Sequence, residues 1–212
     1  MLDKKGFDLW SKDYDNEVNT CYINKEYPFD GYYDVLANIL SSIKPNSKVL
    51  DIGFGTGILT KKIYDNNCEV YGIDFSSEMV NISKNKMPNG KFYECDFNNE
   101  LPSDILNQKY DYIISTYAIH HLTDTKKIEF ILLLKTLLKD NGKIIIGDIS
   151  FLNEEELNEC KNKYNGFDKD EIYIVADKFI EDLKNVGINC EYNKMSSCAA
   201  ILTIGNVWNI KI

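Results

Sequence analysis

The sequence predicts an α/β protein: a mostly parallel β-sheet with helices on both faces. Three observations carry this. Strand-like and helix-like segments alternate for about a hundred residues from Lys48. One strand runs straight into a glycine-rich turn, with a helix behind it. And 212 residues, 44% of them hydrophobic, suit one domain with a full core, spanning 1–212.

The elements follow in order. Phe7–Asp15 mixes aromatics and acids without a long periodic pattern and reads as a short helix or ordered loop over the domain. From about 29 to 43, Tyr32, Val35, Leu36, Ile39, Leu40 and Ile43 fall three and four apart, the spacing of an amphipathic helix. Pro45-Asn46 ends it. Together 1–46 form an N-terminal helical cover. Lys48–Ile52 is then the first strand, and Ile58–Tyr64 a helix opening after Gly57. Glu69–Asp74 is the second strand. Ser76–Lys86 is a helix capped by Ser76 or Ser77, with Glu78 in its first turn. Pro88-Asn89-Gly90 is a turn before the third strand, Lys91–Glu94. Tyr110–Thr116 is the fourth. Thr123 or Asp124 caps a helix to about Leu138, Asp140-Asn141-Gly142 is a turn signal, and Lys143–Asp148 is the fifth strand. These units complete a cofactor-binding core over 47–150.

Beyond it the alternation lapses. Asn153–Tyr164 is acidic and reads as an exposed helix within a lid-like insertion, 151–170. Ile174–Asn185 is a helix with Val175, Phe179, Leu183 and Val186 on one face, stopped by Gly187. Ile188–Met195 and Ala199–Ile204, joined by Ser196-Ser197, read as an antiparallel hairpin that closes residues 171–212.

Composition excludes several classes. No stretch is apolar enough to span a bilayer, and no secretory h-region is visible, so a cytoplasmic protein without a membrane partner is expected. The six cysteines show no CxxC pair and read as reduced thiols. With a net charge of −9, and lysine as the only strongly basic residue, the chain is a poor candidate for nucleic-acid binding.

Right-handed crossovers place all parallel strand C-terminal ends on one edge, where ligands of open α/β sheets bind. Asp51, Asp74, Asp96 and Thr116 become neighbours there. Gly53, Gly55 and Gly57 form a G-x-G-x-G turn whose bare backbone a ligand can approach closely. A dinucleotide fingerprint would need a glycine where Ile58 stands. Asp74, closing the second strand, stands where an acid accepts hydrogen bonds from ribose hydroxyls. Asp96 can accept from an exocyclic adenine amine, while the Phe97 N–H faces a ring nitrogen. Phe75 and Phe97 either sandwich the adenine or pack in the core.

Asp51–Gly57, Gly72-Ile73-Asp74-Phe75-Ser76, Asp96 and Ser115–Leu122 together resemble the class I S-adenosylmethionine-dependent methyltransferases. Trp10–Asp15 and Ser115–Asp124 are most similar to a group of small, largely uncharacterised bacterial members. The resemblance implies a Rossmann-like fold, with a seven-stranded sheet whose last strand is antiparallel. It also implies roles: Asp51 orients the turn or reaches the methionine amino group, and Gly53 and Gly55 let the methionine lie against backbone. Asp74 then binds ribose, Asp96 and Phe97 hold adenine, Thr116 and Tyr117 line the sulfonium side, and Tyr14 closes over the cofactor. Phe54 departs from the small residue common between the first two glycines; it either packs outward or narrows the methionine pocket.

His120 and His121 read as a helix-start pair or as part of an acceptor pocket. His120 is the candidate base, on the expectation that His121 packs back under the turn. Asp148 is an alternative polar wall. No metal is expected, since adjacent histidines do not easily converge on one ion. The resulting expectation is methyl transfer from S-adenosylmethionine to a small-molecule acceptor, by a monomer or homodimer. The acceptor is expected between the strand edge and covers drawn from 7–45 and 150–170. Two other readings remain: a non-catalytic binder of S-adenosylmethionine or S-adenosylhomocysteine, and a nucleotide-dependent oxidoreductase.

Overall fold

The computed structural model describes residues 14–164 and 166–205, without the side chains of residues 14, 15 and 17. The segment before Tyr14 lies outside the described residues. A helix not expected from the sequence, α1 (Tyr14–Asn24), opens the description, and α2 (Tyr32–Ser42) follows. The core then alternates β1 (Lys48–Ile52), α3 (Ile58–Asp65), β2 (Glu69–Asp74), α4 (Ser77–Lys86) and β3 (Lys91–Glu94). After a short α5 (Ser103–Leu106) come β4 (Tyr110–Thr116), a 3-10 turn (Ile119–His121), α6 (Asp124–Thr136) and β5 (Leu138–Phe151). The remainder is α7 (Glu154–Lys163), β6 (Ile174–Val175), α8 (Ala176–Asn185), β7 (Glu191–Lys194) and β8 (Ala199–Gly205).

The sheet runs β3-β2-β1-β4-β5-β8-β7, seven strands along one path, with β6 paired to β5 beside it. β8 lies antiparallel to β5 and β7 antiparallel to β8, so β8 alone runs against the rest. The mostly parallel sheet and its reversed last strand are as expected. β6 is additional: Ile174 and Val175 pair with Ser150 and Phe151 instead of opening α8.

A parallel strand covered on both faces must be apolar on both, and β1 shows it. Val49 joins the core beneath α2, α3 and α4, whereas Leu50 and Ile52 join the opposite core with Phe130, Ile131 and Leu134 of α6. Phe179 and Leu183 of α8 belong to that second core. Val186, expected on the same face, is instead exposed.

Local chemistry sets the helix starts. Ser76 Oγ accepts from the Met79 amide, Thr123 Oγ1 from Lys126 and Asn153 Oδ1 from Glu156, each satisfying an N–H that a first turn leaves open. The expected turn at Asp140–Gly142 is absorbed into β5 as a register shift, since Tyr110 pairs with Leu138 but Tyr112 with Lys143. Gly142 is needed there, because a Cβ would come within 2.8 Å of the Tyr110 carbonyl oxygen. α7 is less exposed than its acidic sequence implies: Leu157 and Cys160 are buried. No helix among the described residues is long and apolar enough to cross a membrane.

Candidate functional site

A cleft of about 290 Å³ opens at the C-terminal ends of β1, β2 and β4. Gly53, Gly55, Asp74, Phe75, Asp96, Phe97, Thr116, Tyr117 and His120 all line it. These residues, far apart in sequence, meet because parallel strands end on one edge.

The glycine turn is locked by backbone and carboxylate together. The Gly53 amide donates to the Ile73 carbonyl at 2.8 Å. The Gly55 amide donates to Asp74 Oδ2 at 2.8 Å, and Ser76 N donates to Asp74 Oδ1 at 3.0 Å. Asp74 thus holds the turn against the end of β2 while lining the cleft. Gly53 has φ of 69°, and a Cβ there would lie 2.5 Å from Ala118 Cβ. Gly55, at φ of 55°, would meet nothing within 4 Å, so its backbone borders open space.

Gly57 and Asp51 stand apart from the cleft. Gly57 supplies the left-handed residue that opens α3, so its role here is structural. Asp51 is buried beneath the turn, where Thr60 donates to its Oδ2 at 2.6 Å and Oδ1 has no hydrogen-bond partner among the described residues. Burial, then the charge of Asp74, pushes its carboxyl up to about 7. Tyr14 opens α1, and its side chain lies outside the described residues. Phe54 both packs and lines: its ring sits 5.1 Å from Phe92, against Gly72, and borders the cleft.

At the adenine-side positions, Asp96 is exposed and accepts from the Asn98 backbone at 2.9 Å. Phe97 stacks on Phe130 at 5.8 Å, so cleft lining and core packing coexist in one ring.

The other end is aromatic and ionisable. Tyr117 has φ of 50° and its hydroxyl is buried without a hydrogen-bond partner among the described residues. Its ring lies 4.8 Å from Tyr32 and 5.8 Å from Phe29, both delivered by the α2 segment. His120 is held by Asp148 of β5: Nδ1 stands 2.6 Å from Oδ1, and the His120 amide donates to Oδ2 at 3.2 Å. Asp148 therefore stands behind His120 and is not a wall of the cleft. Burial pulls the His120 imidazolium down, but the carboxylates of Asp148 and Glu171 outweigh it and hold the ring above its ordinary value. The positive ring in turn keeps Asp148 below the usual carboxylate range, against its burial.

His121 does not pack back under the turn. It too lines the cleft and is less buried than His120. Burial and the neighbouring His120 charge push it down to about 4. Glu171 completes this end, with Oε1 at 3.5 Å from His120 Nε2 and 3.9 Å from His121 Nδ1. Adjacent histidines thus do reach a common partner. Glu171 carried no sequence signal beyond its place in an acidic loop, and no described residue of 150–170 lines the cleft. The cover expected from 7–45 is represented by Pro28, Phe29, Tyr32 and Leu36.

A family profile described as a methyltransferase domain matches residues 43–202. An uncharacterized methyltransferase of Anoxybacillus flavithermus is 38% identical over 163 residues, covering 76% of this chain and 74% of the relative. Another, from Alkaliphilus oremlandii, is 31% identical over 196 residues, covering 88% of each chain. Among solved structures, a DhpI–SAH complex matches with a TM-score of 0.71 at 15% identity, covering 95% of this chain and 93% of that one. Magnesium protoporphyrin IX methyltransferase of Synechocystis, with bound SAM, matches at 0.65 and 17% identity, covering 98% and 99%. Those two likenesses speak to the fold, and the profile and the bacterial relatives to the family. The chain belongs to the methyltransferase-domain family.

Proposed function

We propose that the protein transfers the methyl group of S-adenosylmethionine to a small molecule bound at the Tyr117–His120 end of the cleft. The observation that carries this is the convergence of two chemistries in one cavity. Bare glycine backbone and the Asp74 carboxylate lie at one end, and an aromatic wall with His120 and Glu171 at the other.

In this reading the methionine part lies against Gly53 and Gly55, with Asp51, beneath the turn, reaching its ammonium through water. Asp74 accepts from the ribose hydroxyls. Asp96, Phe97 and Phe75 hold the adenine, Thr116 and Tyr117 border the sulfonium, and Tyr14 covers the cofactor.

The donor is already activated. A lone pair of the acceptor attacks the methyl carbon, the carbon–sulfur bond breaks, and its electron pair stays on sulfur as S-adenosylhomocysteine forms. The protein must align donor and acceptor and keep water out, which is worth roughly 7–11 kcal/mol when the alignment is good. Where the attacking atom carries a proton, His120 takes it at Nε2 from its neutral form, held in orientation by Asp148.

The six free cysteines fit a reducing cytoplasm. A small acceptor fits the modest cleft, and a net charge of −9 disfavours a nucleic-acid partner. The test is turnover: the chain is incubated with labelled S-adenosylmethionine and a panel of small hydroxyl, amine and thiol acceptors. Label transfer to at least one supports the reading. Tight donor binding with no transfer to any acceptor would favour the non-catalytic alternative.

A further inference from the structure

Among the described residues one group of side chains has the makings of a metal site. His120, His121 and Glu171 each offer one ligand atom, and the three atoms lie within 4.8 Å of one another. Glu171 Oε1 stands 3.5 Å from His120 Nε2 and 3.9 Å from His121 Nδ1. Ligand atoms around a tetrahedral zinc-like ion, with bonds of about 2.1 Å, stand about 3.4 Å apart. Only small side-chain adjustments separate the observed spacing from that one.

The surroundings are those of a built site. Asp148 Oδ1 engages His120 Nδ1 at 2.6 Å, which directs a proton to Nδ1, so that Nε2, facing Glu171, becomes the ligand atom once an ion displaces its proton. A carboxylate behind a ligating histidine is the usual outer support of such an ion. Tyr173 donates to Glu171 Oε2 at 2.8 Å, leaving Oε1 for the histidines. The loop carrying Glu171 is pinned to the histidine turn: Ile172 N donates to the His120 carbonyl at 2.9 Å, and Lys127 Nζ to the Ile172 carbonyl at 2.6 Å. All three candidate ligands line the cleft, so further coordination positions would open into it.

We propose that His120, His121 and Glu171 bind one first-row divalent transition ion, of the zinc or iron(II) class, at the acceptor end of the cleft. Two imidazoles and one carboxylate select such ions over magnesium or calcium, which take oxygen ligands. The open positions would receive an oxygen of the acceptor; this last point rests on the methyl-transfer reading above. The two roles of His120 exclude each other at Nε2: it is a base in the ion-free chain and a ligand in the loaded one. An ion-bound acceptor hydroxyl ionises more readily and needs no protein base.

The probe is Co²⁺, whose visible bands report nitrogen and oxygen coordination. The full chain, stripped with a chelator, is titrated with Co²⁺ and then with Zn²⁺ in competition. One Co²⁺ per chain, with visible bands lost on adding Zn²⁺, is the expected result. Glu171→Gln and His121→Asn, at less buried positions, should abolish those bands with the far-ultraviolet spectrum unchanged. Asp148→Asn, acting through His120, should weaken binding about 10–100-fold. Absence of Co²⁺ uptake, or uptake of unchanged strength in the Glu171 and His121 variants, would overturn the proposal. Label transfer from S-adenosylmethionine to the acceptor panel, measured on the same samples, decides the methyltransferase reading separately.

Discussion

Asp74 and Gly55 are joined across the mouth of the cleft. The Gly55 amide donates to Asp74 Oδ2 at 2.8 Å, so the acid closing β2 also sets the shape of the turn closing β1. Asp74→Ala removes that tie together with the acceptor proposed for the ribose hydroxyls. Hydrogen bonds to charged groups are worth about 1.5–3 kcal/mol each, so donor affinity should fall about 10–100-fold. Asp74→Asn, which keeps one acceptor oxygen, should lose less. Titration calorimetry checks both, and unchanged affinity in the alanine variant would remove Asp74 from the donor site.

The glycine turn makes a graded prediction. Both Gly53 and Gly55 have left-handed φ, which costs a side-chain-bearing residue about 1–2 kcal/mol. At Gly53 a Cβ would additionally meet Ala118 at 2.5 Å, whereas at Gly55 it meets nothing. Gly53→Ala should therefore lower Tm more than Gly55→Ala. In a domain of this size each kcal/mol shifts Tm by about 2–4 °C. Equal melting temperatures would mean that the packing of Gly53 against Ala118 is looser than described.

Asp51 gives a pH signature. Its carboxyl moves from 3.8 to about 7 on burial, so the folded chain holds a proton there that the unfolded chain releases. Its contribution to stability is fully present below pH 3.8 and is lost as pH rises through about 7. Asp51→Asn should flatten the stability profile between those limits, as read from urea unfolding midpoints at several pH values. In the reading given above, the donor's ammonium would draw the proton off Asp51. Donor binding below pH 7 should then release up to one proton, measurable by calorimetry in buffers of different ionisation enthalpy. No proton release there would leave Asp51 with only its bond to Thr60.

His120 and Asp148 form a buried pair, so stability and turnover must be read separately. His120→Ala strands the Asp148 carboxylate, and breaking a buried pair costs about 3–5 kcal/mol. His120→Gln, which keeps a polar group near Asp148, should fold more stably. Loss of a proton acceptor lowers turnover about 10²–10⁴-fold. The glutamine variant should show that fall at temperatures well below its Tm, with donor affinity retained. Full activity in this variant would take His120 out of the reaction.

Much of this arrangement was legible beforehand, for local reasons. β1, β2 and β4 are largely apolar runs, β3 follows a turn signal, and the limits of all four coincide with the expected ones. Gly53, Gly55, Asp74, Asp96 and Thr116 lie in or beside the strand ends, so parallel topology alone brings them together. What escaped was set by tertiary contact. Among the described side chains of α1, Val18 is the one buried hydrophobic, and the helix offers no apolar stripe to read. Asp148 was visible as a strand-end acid, but its place behind His120 depends on β5 lying beside β4. Glu171 reaches the cleft because Tyr173 and the Ile172–His120 backbone bond hold its loop there, and neither contact has a sequence motif.

Calorimetric titration of the purified chain with S-adenosylmethionine, S-adenosylhomocysteine and NAD tests the central claim most directly. The cleft described here predicts one site per chain for the first two and no heat with NAD. No heat with S-adenosylmethionine, or preferential binding of NAD, would contradict it.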